Sequence, residues 1–182
     1  MTLTLVRHTA DLSPEQLAEA RALLFTVFAG DDPMTDDDWE HCLGGLHVLV
    51  HDGPELVAHG AVVMRRLLHA GRALRCGYVE GVAVRAGRRR RGLGGVVMAE
   101  LERVVRAAYD LGALGATDDG APFYASRGWR PWPGTTSTLT TSGLVRTPGE
   151  DGWIYVFGGT MPLEALDLTG DLACGPRLGD AW

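Results

Sequence analysis

Polar and apolar positions follow two alternating rhythms along this chain, and each rhythm predicts a kind of element. Residues 3–9 read as a first strand. Ser13-Pro14-Glu15-Gln16 then combines a serine N-cap, a proline at the first helical position and a glutamine three residues on, the reciprocal capping pattern. Leu17, Ala20, Leu24, Val27 and Phe28 continue the helical stripe. An acidic loop covers residues 29–37, with Thr35 set to cap a short helix carrying Trp39 and Leu43. From Leu46 to Val84 the period falls to two. Leu46, Val48 and Val50 alternate, Asp52-Gly53-Pro54 turns the chain, and residues 55–68 form a long second arm. His69-Ala70-Gly71-Arg72 turns it again into a strand over 73–85, completing an antiparallel meander.

The helical period returns at about 94–110 with Val97, Leu101, Val104 and Ala108, and Leu111 to Leu114 is a short buried strand. Thr117 or Asp118 opens a further helix that Gly128 stops. Trp129 to Thr141 and Trp153 to Gly159 read as two strands around the turn 148–152, and the tail from Met161 is irregular. With no repeat or linker, the expectation is one mixed α/β domain over residues 1–182, its helices flanking a central sheet.

Composition narrows the chemistry. All 17 bases are arginine, so the lysine required by a P-loop, a pyridoxal enzyme or a Schiff-base aldolase is missing. The net charge of −6 disfavours a nucleic-acid partner and favours a cationic ligand. The amino terminus is too short and polar for a signal peptide, and no apolar run reaches a membrane span of roughly 18 residues, so a cytoplasmic location is expected. Three cysteines without zinc spacing read as reduced core thiols; His41, His47 and His51 form no HExxH pattern, so no metal is expected.

The sharpest motif is Val82-Ala83-Val84 followed by Arg89-Arg90-Arg91-Gly92-Leu93-Gly94 at the mouth of a helix. Helix N-terminal N–H groups carry about half a positive charge, glycines let the main chain close on an anion, and arginines add charge-assisted bonds to phosphate. In an acidic protein this predicts pyrophosphate binding rather than a merely solvated basic run.

That arrangement resembles the acyl-CoA site of the GNAT superfamily of N-acetyltransferases, and Phe123-Tyr124-Ala-Ser-Arg-Gly128-Trp129 fits its later tyrosine and Gly-aromatic step. Asp38-Trp39-Glu40-His41, Leu43-Gly44-Gly45, the run Leu74 to Val84, Tyr124 to Trp129 and Gly179-Asp180-Ala181-Trp182 are similar to the aminoglycoside 2′-N-acetyltransferases over nearly the whole chain. The resemblance implies a GNAT fold, α/β (α+β), with a central, mixed, mostly antiparallel sheet. It also implies acetyl-CoA as co-substrate on Val82, Ala83, Val84 and Arg89 to Gly94, a homodimer, and antibiotic resistance.

It further implies Glu80 as the base, acting directly or through water, and Tyr124 as the acid that protonates the departing thiolate. Residue by residue, the alternatives are a Glu80 paired with Arg75 or Arg85 and a Tyr124 whose hydroxyl is satisfied in the core. Asp31, Asp38, Asp151 and Asp180 correspond to drug-contacting positions, with Glu80, Gly81 and the Trp182 carboxylate beside them. Asp36 and Asp37 read instead as acids favoured by the dipole of a helix N-terminus. The implied reaction moves acetyl from acetyl-CoA to the 2′-amine of an aminoglycoside within a ternary complex. Its rivals are a GNAT enzyme acting on another amine (a cell-wall amino sugar, a polyamine or a protein N-terminus) and a non-catalytic acyl-CoA-binding regulator.

Overall fold

The computed structural model describes residues 2–30 and 33–182. In chain order it forms β1 (Thr2–His8), α1 (Pro14–Val27), α2 (Asp36–His41), β2 (Leu46–Asp52), β3 (Glu55–His69), β4 (Arg72–Val84) and α3 (Leu93–Ala108). Then follow β5 (Leu111–Gly115), α4 (Ala121–Ser126), β6 (Arg130–Pro131), β7 (Thr136–Thr140), β8 (Gly143–Arg146), β9 (Ile154–Gly158) and β10 (Leu172–Cys174). These elements group into two compact units, Met1–Val63 with Val79–Arg103 and Met64–Tyr78 with Val104–Trp182. The chain of β3, β4 and α3 contributes to both.

In the first unit β1 pairs antiparallel with β2, from Thr2 opposite Asp52 to His8 opposite Leu46, and β2 pairs antiparallel with β3. The capping pattern forms as the residues predict. Gln16 N donates to Ser13 Oγ at 3.2 Å, and Ser13 N donates back to Gln16 Oε1 at 3.0 Å. α1 buries Ala20, Leu23 and Leu24 in a core shared with Leu12, Cys42, Leu49, Leu56, Ala61 and Ala83. Burying each leucine contributes ~1.5–3 kcal/mol, so Leu24→Ala costs ~2–5 kcal/mol. Gly60 on β3 seats the first half of α3, because a Cβ there would stand 2.5 Å from Val97 Cγ1 and 3.1 Å from Leu101 Cδ1. That close approach fixes where the N-terminus of α3 begins.

In the second unit the hydrogen-bonded strand order is β6-β9-β5-β4-β3-β10-β7-β8. β4 and β5 run parallel, Cys76 opposite Leu111, while β5 and β9 run antiparallel, Leu111 opposite Gly158. β10 is antiparallel to β3 and parallel to β7. The sheet is therefore mixed and mostly antiparallel, as expected. Trp129 stacks on Phe157 with ring centroids 5.1 Å apart, and the Arg106 guanidinium covers the same Phe157 ring at 4.6 Å.

Four details differ from the sequence reading. α4 begins at Ala121, because Thr117 serves the preceding turn: its Oγ1 accepts from Gly120 N at 3.2 Å. The strand expected over Trp129 to Thr141 is two strands, β6 and β7. Pro131 and Pro133 have no N–H for a ladder, and Gly134 packs its backbone against Gly170, leaving no room for a Cβ. A hairpin arm, β8, pairs with β7 beyond that point. The tail is not wholly irregular, since Leu172–Cys174 inserts between β3 and β7. All three cysteines are free and buried, as expected. Among the described residues no helix is long and apolar enough to cross a membrane.

Candidate active site

The first unit carries the arginine–glycine loop, and the structure sorts its arginines into two groups. Arg85 Nε pairs with Glu55 Oε1 at 3.0 Å; Arg88 pairs with Asp52 at 2.9 Å and Glu55 at 3.2 Å. These two bind the loop to the β2–β3 turn. Arg89, Arg90 and Arg91 are solvent-exposed, and Arg89 Nε donates to Val84 O at 3.3 Å. Arg90 has φ +59° and Gly92 φ +79°, left-handed backbone that bends the loop into the head of α3. Gly92 O accepts the first helical bond, from Val96 N at 3.1 Å, so the N–H groups just after it lack intrahelical partners. Three exposed guanidiniums at such a helix mouth suit a polyphosphate.

Glu80 and Gly81 lie on β4 just before Val82, with Ala83 buried and Val82 and Val84 half-buried. Gly81 has φ +57° inside a strand, which only glycine adopts without strain. A Cβ there would also meet Cys42 Sγ at 2.8 Å and Leu24 Cδ1 at 3.0 Å. The Gly81 carbonyl accepts a hydrogen bond from His59 Nδ1 at 2.9 Å. Glu80 itself is half-buried. Of the two arginines weighed as its partners, Arg75 pairs with Asp110 at 2.8 Å and Arg85 with Glu55.

The acids at the start of α2 are largely occupied by the fold. Asp38 Oδ2 accepts from Thr35 N at 2.8 Å and from Thr35 Oγ1 at 2.7 Å, completing a second capping box. Its other oxygen lies 3.9 Å from His41 Nδ1. Asp36 pairs with Arg21. Asp36 and Asp37 occupy the first turn, as the dipole argument expects. Asp31 lies outside the described residues.

Tyr124 and the remaining carboxylates belong to the second unit. Tyr124 stands on α4 with its ring 5.4 Å from Phe123 and 6.3 Å from Trp129. Burial pushes its phenol up to about 12, so it keeps its proton at neutral pH. Asp151 is held as a latch: Oδ1 accepts from Thr136 N and Oγ1, both at 2.8 Å, and Oδ2 pairs with Arg146 at 2.6 Å. Those Thr136 and Arg146 donors hold its carboxyl below the usual range.

Glu150 behaves in the opposite way. Burial first, and then the neighbouring Asp180 carboxylate, push its carboxyl up, with Arg177 opposing. The composition of the hairpin points to Glu150 only as one acid among many; its partial burial beside Asp180 marks it out. The final residues are tightly held. Arg65 donates to Ala181 O at 2.7 Å and Gly175 O at 3.0 Å, Arg177 donates to Asp180 O at 2.6 Å and to Trp182 O, and Trp182 Nε1 donates to Thr147 Oγ1 at 3.0 Å. Trp182 is buried. Among the described residues no cluster of side chains suited to a metal ion occurs.

Comparison with known proteins agrees with this chemistry. A family model described as an acetyltransferase (GNAT) domain matches residues 8–132. An aminoglycoside 2′-N-acetyltransferase of Mycolicibacterium fortuitum is 47% identical over 176 residues, 96% of this chain and 89% of that protein. Two solved structures share the fold. A GNAT family N-acetyltransferase of Escherichia coli in complex with CoA has a TM-score of 0.64 and 18% identity, covering 95% of this chain and 89% of that one. An acyl-CoA N-acyltransferase of Pseudomonas aeruginosa has a TM-score of 0.62 and 15% identity, covering 87% of this chain and all of that one (100%). The chain therefore belongs to the GNAT superfamily of acetyltransferases and, within it, to the family of the aminoglycoside 2′-N-acetyltransferases.

Proposed function

We propose that this protein transfers the acetyl group of acetyl-CoA to the 2′-amino group of an aminoglycoside. The observation that carries the reading is the Mycolicibacterium relative, 47% identical across 96% of this chain. The exposed Arg89, Arg90 and Arg91 and the N–H groups of Leu93 and Gly94 take the CoA pyrophosphate, and the edges of Val82, Ala83 and Val84 align the acyl arm. The net charge of −6 attracts a polycation. In the second unit Glu150 beside Asp180, with Trp182, offers negative charge to the amines of the acceptor; in the first unit Glu80 and Gly81 serve the amine that reacts.

Both substrates bind before transfer, so orientation removes up to ~7–11 kcal/mol of the barrier in the best cases. Glu80 takes a proton from the ammonium, directly or through water, and the freed amine attacks the thioester carbonyl. The C–N bond forms, the C–S bond breaks, and sulfur leaves as a thiolate. An ordinary thiol ionises near ~8.5, so a phenol pushed up to about 12 is first a hydrogen-bond donor to that sulfur. It gives up its proton as the same dry surroundings raise the basicity of the thiolate. The product is a neutral amide where the drug had a cation, which confers resistance. The enzyme works in the cytoplasm as a homodimer.

A second reading, transfer to a different amine, draws on one observation: Asp38 and Asp151 are both engaged in bonds that hold the fold. Release of CoA thiol with paired aminoglycosides, one bearing a 2′-amine and one a 2′-hydroxyl, separates the two. Turnover on the amine alone is expected. Equal turnover on both, or on neither while acetyl-CoA still binds, overturns the 2′-amine assignment.

A further inference from the structure

Two histidines sit side by side in the first unit, and the cofactor and substrate roles above use neither. His47 on β2 and His59 on β3 are fully buried. Their rings are 5.2 Å apart, with His47 Nδ1 2.9 Å from His59 Nε2. At one end Thr9 Oγ1 lies 2.8 Å from His47 Nε2; at the other, His59 Nδ1 lies 2.9 Å from Gly81 O. Thr9 Oγ1 also accepts from Gly44 N at 2.9 Å and lies 3.2 Å from Gly45 O, a second acceptor for its single proton.

The proton positions follow from the Gly81 end. A carbonyl oxygen only accepts, so His59 Nδ1 carries the hydrogen and His59 Nε2 accepts. His47 Nδ1 must then donate, and His47 Nε2 accepts from the Thr9 hydroxyl. Both imidazoles are neutral, in the same tautomer, with every bond of the chain aligned in one direction. Burial holds the protonation of both down, to about 3 for His47, where the neighbouring His59 adds to the effect, and to about 4 for His59, where the bond to the Gly81 carbonyl opposes it.

Such a chain is no proton wire. Its inner end is a peptide oxygen, which neither gives nor takes a proton near neutral pH. Nor is it the economical way to fill a core, since apolar side chains of similar volume would avoid the desolvation of two imidazoles. What it accomplishes is orientation. Gly81 departs from strand geometry at φ +57°, and His59 supplies a donor for its carbonyl inside the core. The peptide so fixed joins the residue after Glu80 to Val82, where the acyl-CoA segment begins.

We infer that His59, itself oriented by His47 and Thr9, is a positioning residue for acetyl transfer: it fixes the Gly81 peptide and through it the carboxylate of Glu80. This rests on the reading of Glu80 as base.

His59→Leu removes the donor, whereas His59→Asn keeps one at the δ position. In the leucine variant kcat falls at least ~10-fold, the scale expected from a small misplacement of a reacting group, while KM for acetyl-CoA stays within about twofold. The asparagine variant recovers most of the loss. Thr9→Val, at the partly exposed end, lowers kcat about two- to fivefold with the same unchanged KM, and serves if the His59 variants fail to fold. A folded His59→Leu protein with normal kcat, a KM that rises in step with the loss, or an asparagine variant no better than leucine overturns the inference. Nitrogen-15 NMR of histidine-labelled resting protein at pH 7 reads the chain without any acceptor. Both rings protonated at Nδ1 support it, and His59 protonated at Nε2 contradicts it. Wild-type protein inactive on every aminoglycoside, with the Nδ1 tautomers present, defeats the acceptor assignment and leaves the chain supported.

Discussion

The basic loop at residues 85–91 and the acidic stretches at 36–38 and 150–151 look like mirror images in composition, yet they divide their charges differently. In the loop, Arg85 and Arg88 are neutralised by Asp52 and Glu55, and the three arginines that follow stay exposed. In the acidic stretches the residues with the most obvious charge are the ones the fold uses. Asp38 caps α2, Asp36 pairs with Arg21, and Asp151 latches Thr136 and Arg146. The half-buried Glu150, with Asp180 beside it, is set apart by burial and by a like charge instead of by a hydrogen-bond partner. A cluster of like charges therefore says where a site can be; the hydrogen-bond partners decide which members serve it.

The largest test of that division compares the two groups proposed to act as base and acid. Glu80→Gln is expected to lower kcat by ~10²–10⁴ with KM for acetyl-CoA little changed, because it removes the proposed base and keeps the shape. Tyr124→Phe is expected to cost less, about 10- to 100-fold, since a phenol pushed up to about 12 acts chiefly by hydrogen bonding to the thiolate. A Tyr124→Phe loss equal to that of Glu80→Gln would instead make full proton transfer from Tyr124 part of the slow step.

The next test contrasts buried with exposed charge in the first unit. The unfolded chain protonates His47 and His59 near 6.5, and in the folded protein they resist until about 3 and about 4 respectively. Both folded values are depressed, so this contribution is complete above pH 6.5 and is lost as pH falls toward 3. Each pH unit in that window costs about 1.4 kcal/mol per histidine. Urea midpoints between pH 7.5 and 4.5 should fall more steeply for the wild type than for a His47→Gln, His59→Asn double variant; parallel slopes would show that the fold does not hold the pair's protonation down.

The smallest effect separates the acids. Asp180→Asn and Glu150→Gln are each expected to raise KM for the aminoglycoside about fivefold, roughly 1 kcal/mol for a partly solvated charge pair. Asp151→Asn should leave that KM nearly unchanged and lower the melting temperature, since Thr136 and Arg146 lose their acceptor. The reverse pattern would return Asp151 to the drug site.

Much of this was legible in the residues because it depends on short-range chemistry. Ser13 to Gln16 and Thr35 are caps that declare themselves, and the arms of the β2–β3–β4 meander follow from alternation and turns. The glycine spacing at 92 and 94 marks the loop. What stayed hidden depends on partners far away in sequence. β10 is three residues long, too short for a period, and exists because β3 and β7 flank it. Arg85 and Arg88 are indistinguishable from Arg89 until Asp52 and Glu55 are brought beside them. Asp38 is three residues past the Thr35 cap, so its capping role was readable, but its place in an acidic run favoured the ligand reading. His47 and His59 each fit an alternating strand alone; their pairing arises from the register that sets Leu49 opposite His59 and His47 opposite Ala61.

The most direct test of the central claim is acetyl-CoA binding by titration calorimetry to two multiple variants. Arg89→Ala with Arg90→Ala and Arg91→Ala removes the exposed guanidiniums; Arg85→Ala with Arg88→Ala removes the paired ones. At ~1.5–3 kcal/mol for each charge-assisted bond to phosphate, the triple variant should bind at least ~100-fold more weakly with its melting temperature preserved. The double variant should melt lower and bind acetyl-CoA within about threefold of wild type. Wild-type affinity in the triple variant, or an equal loss in the double, would contradict the assignment of the cofactor to Arg89, Arg90 and Arg91.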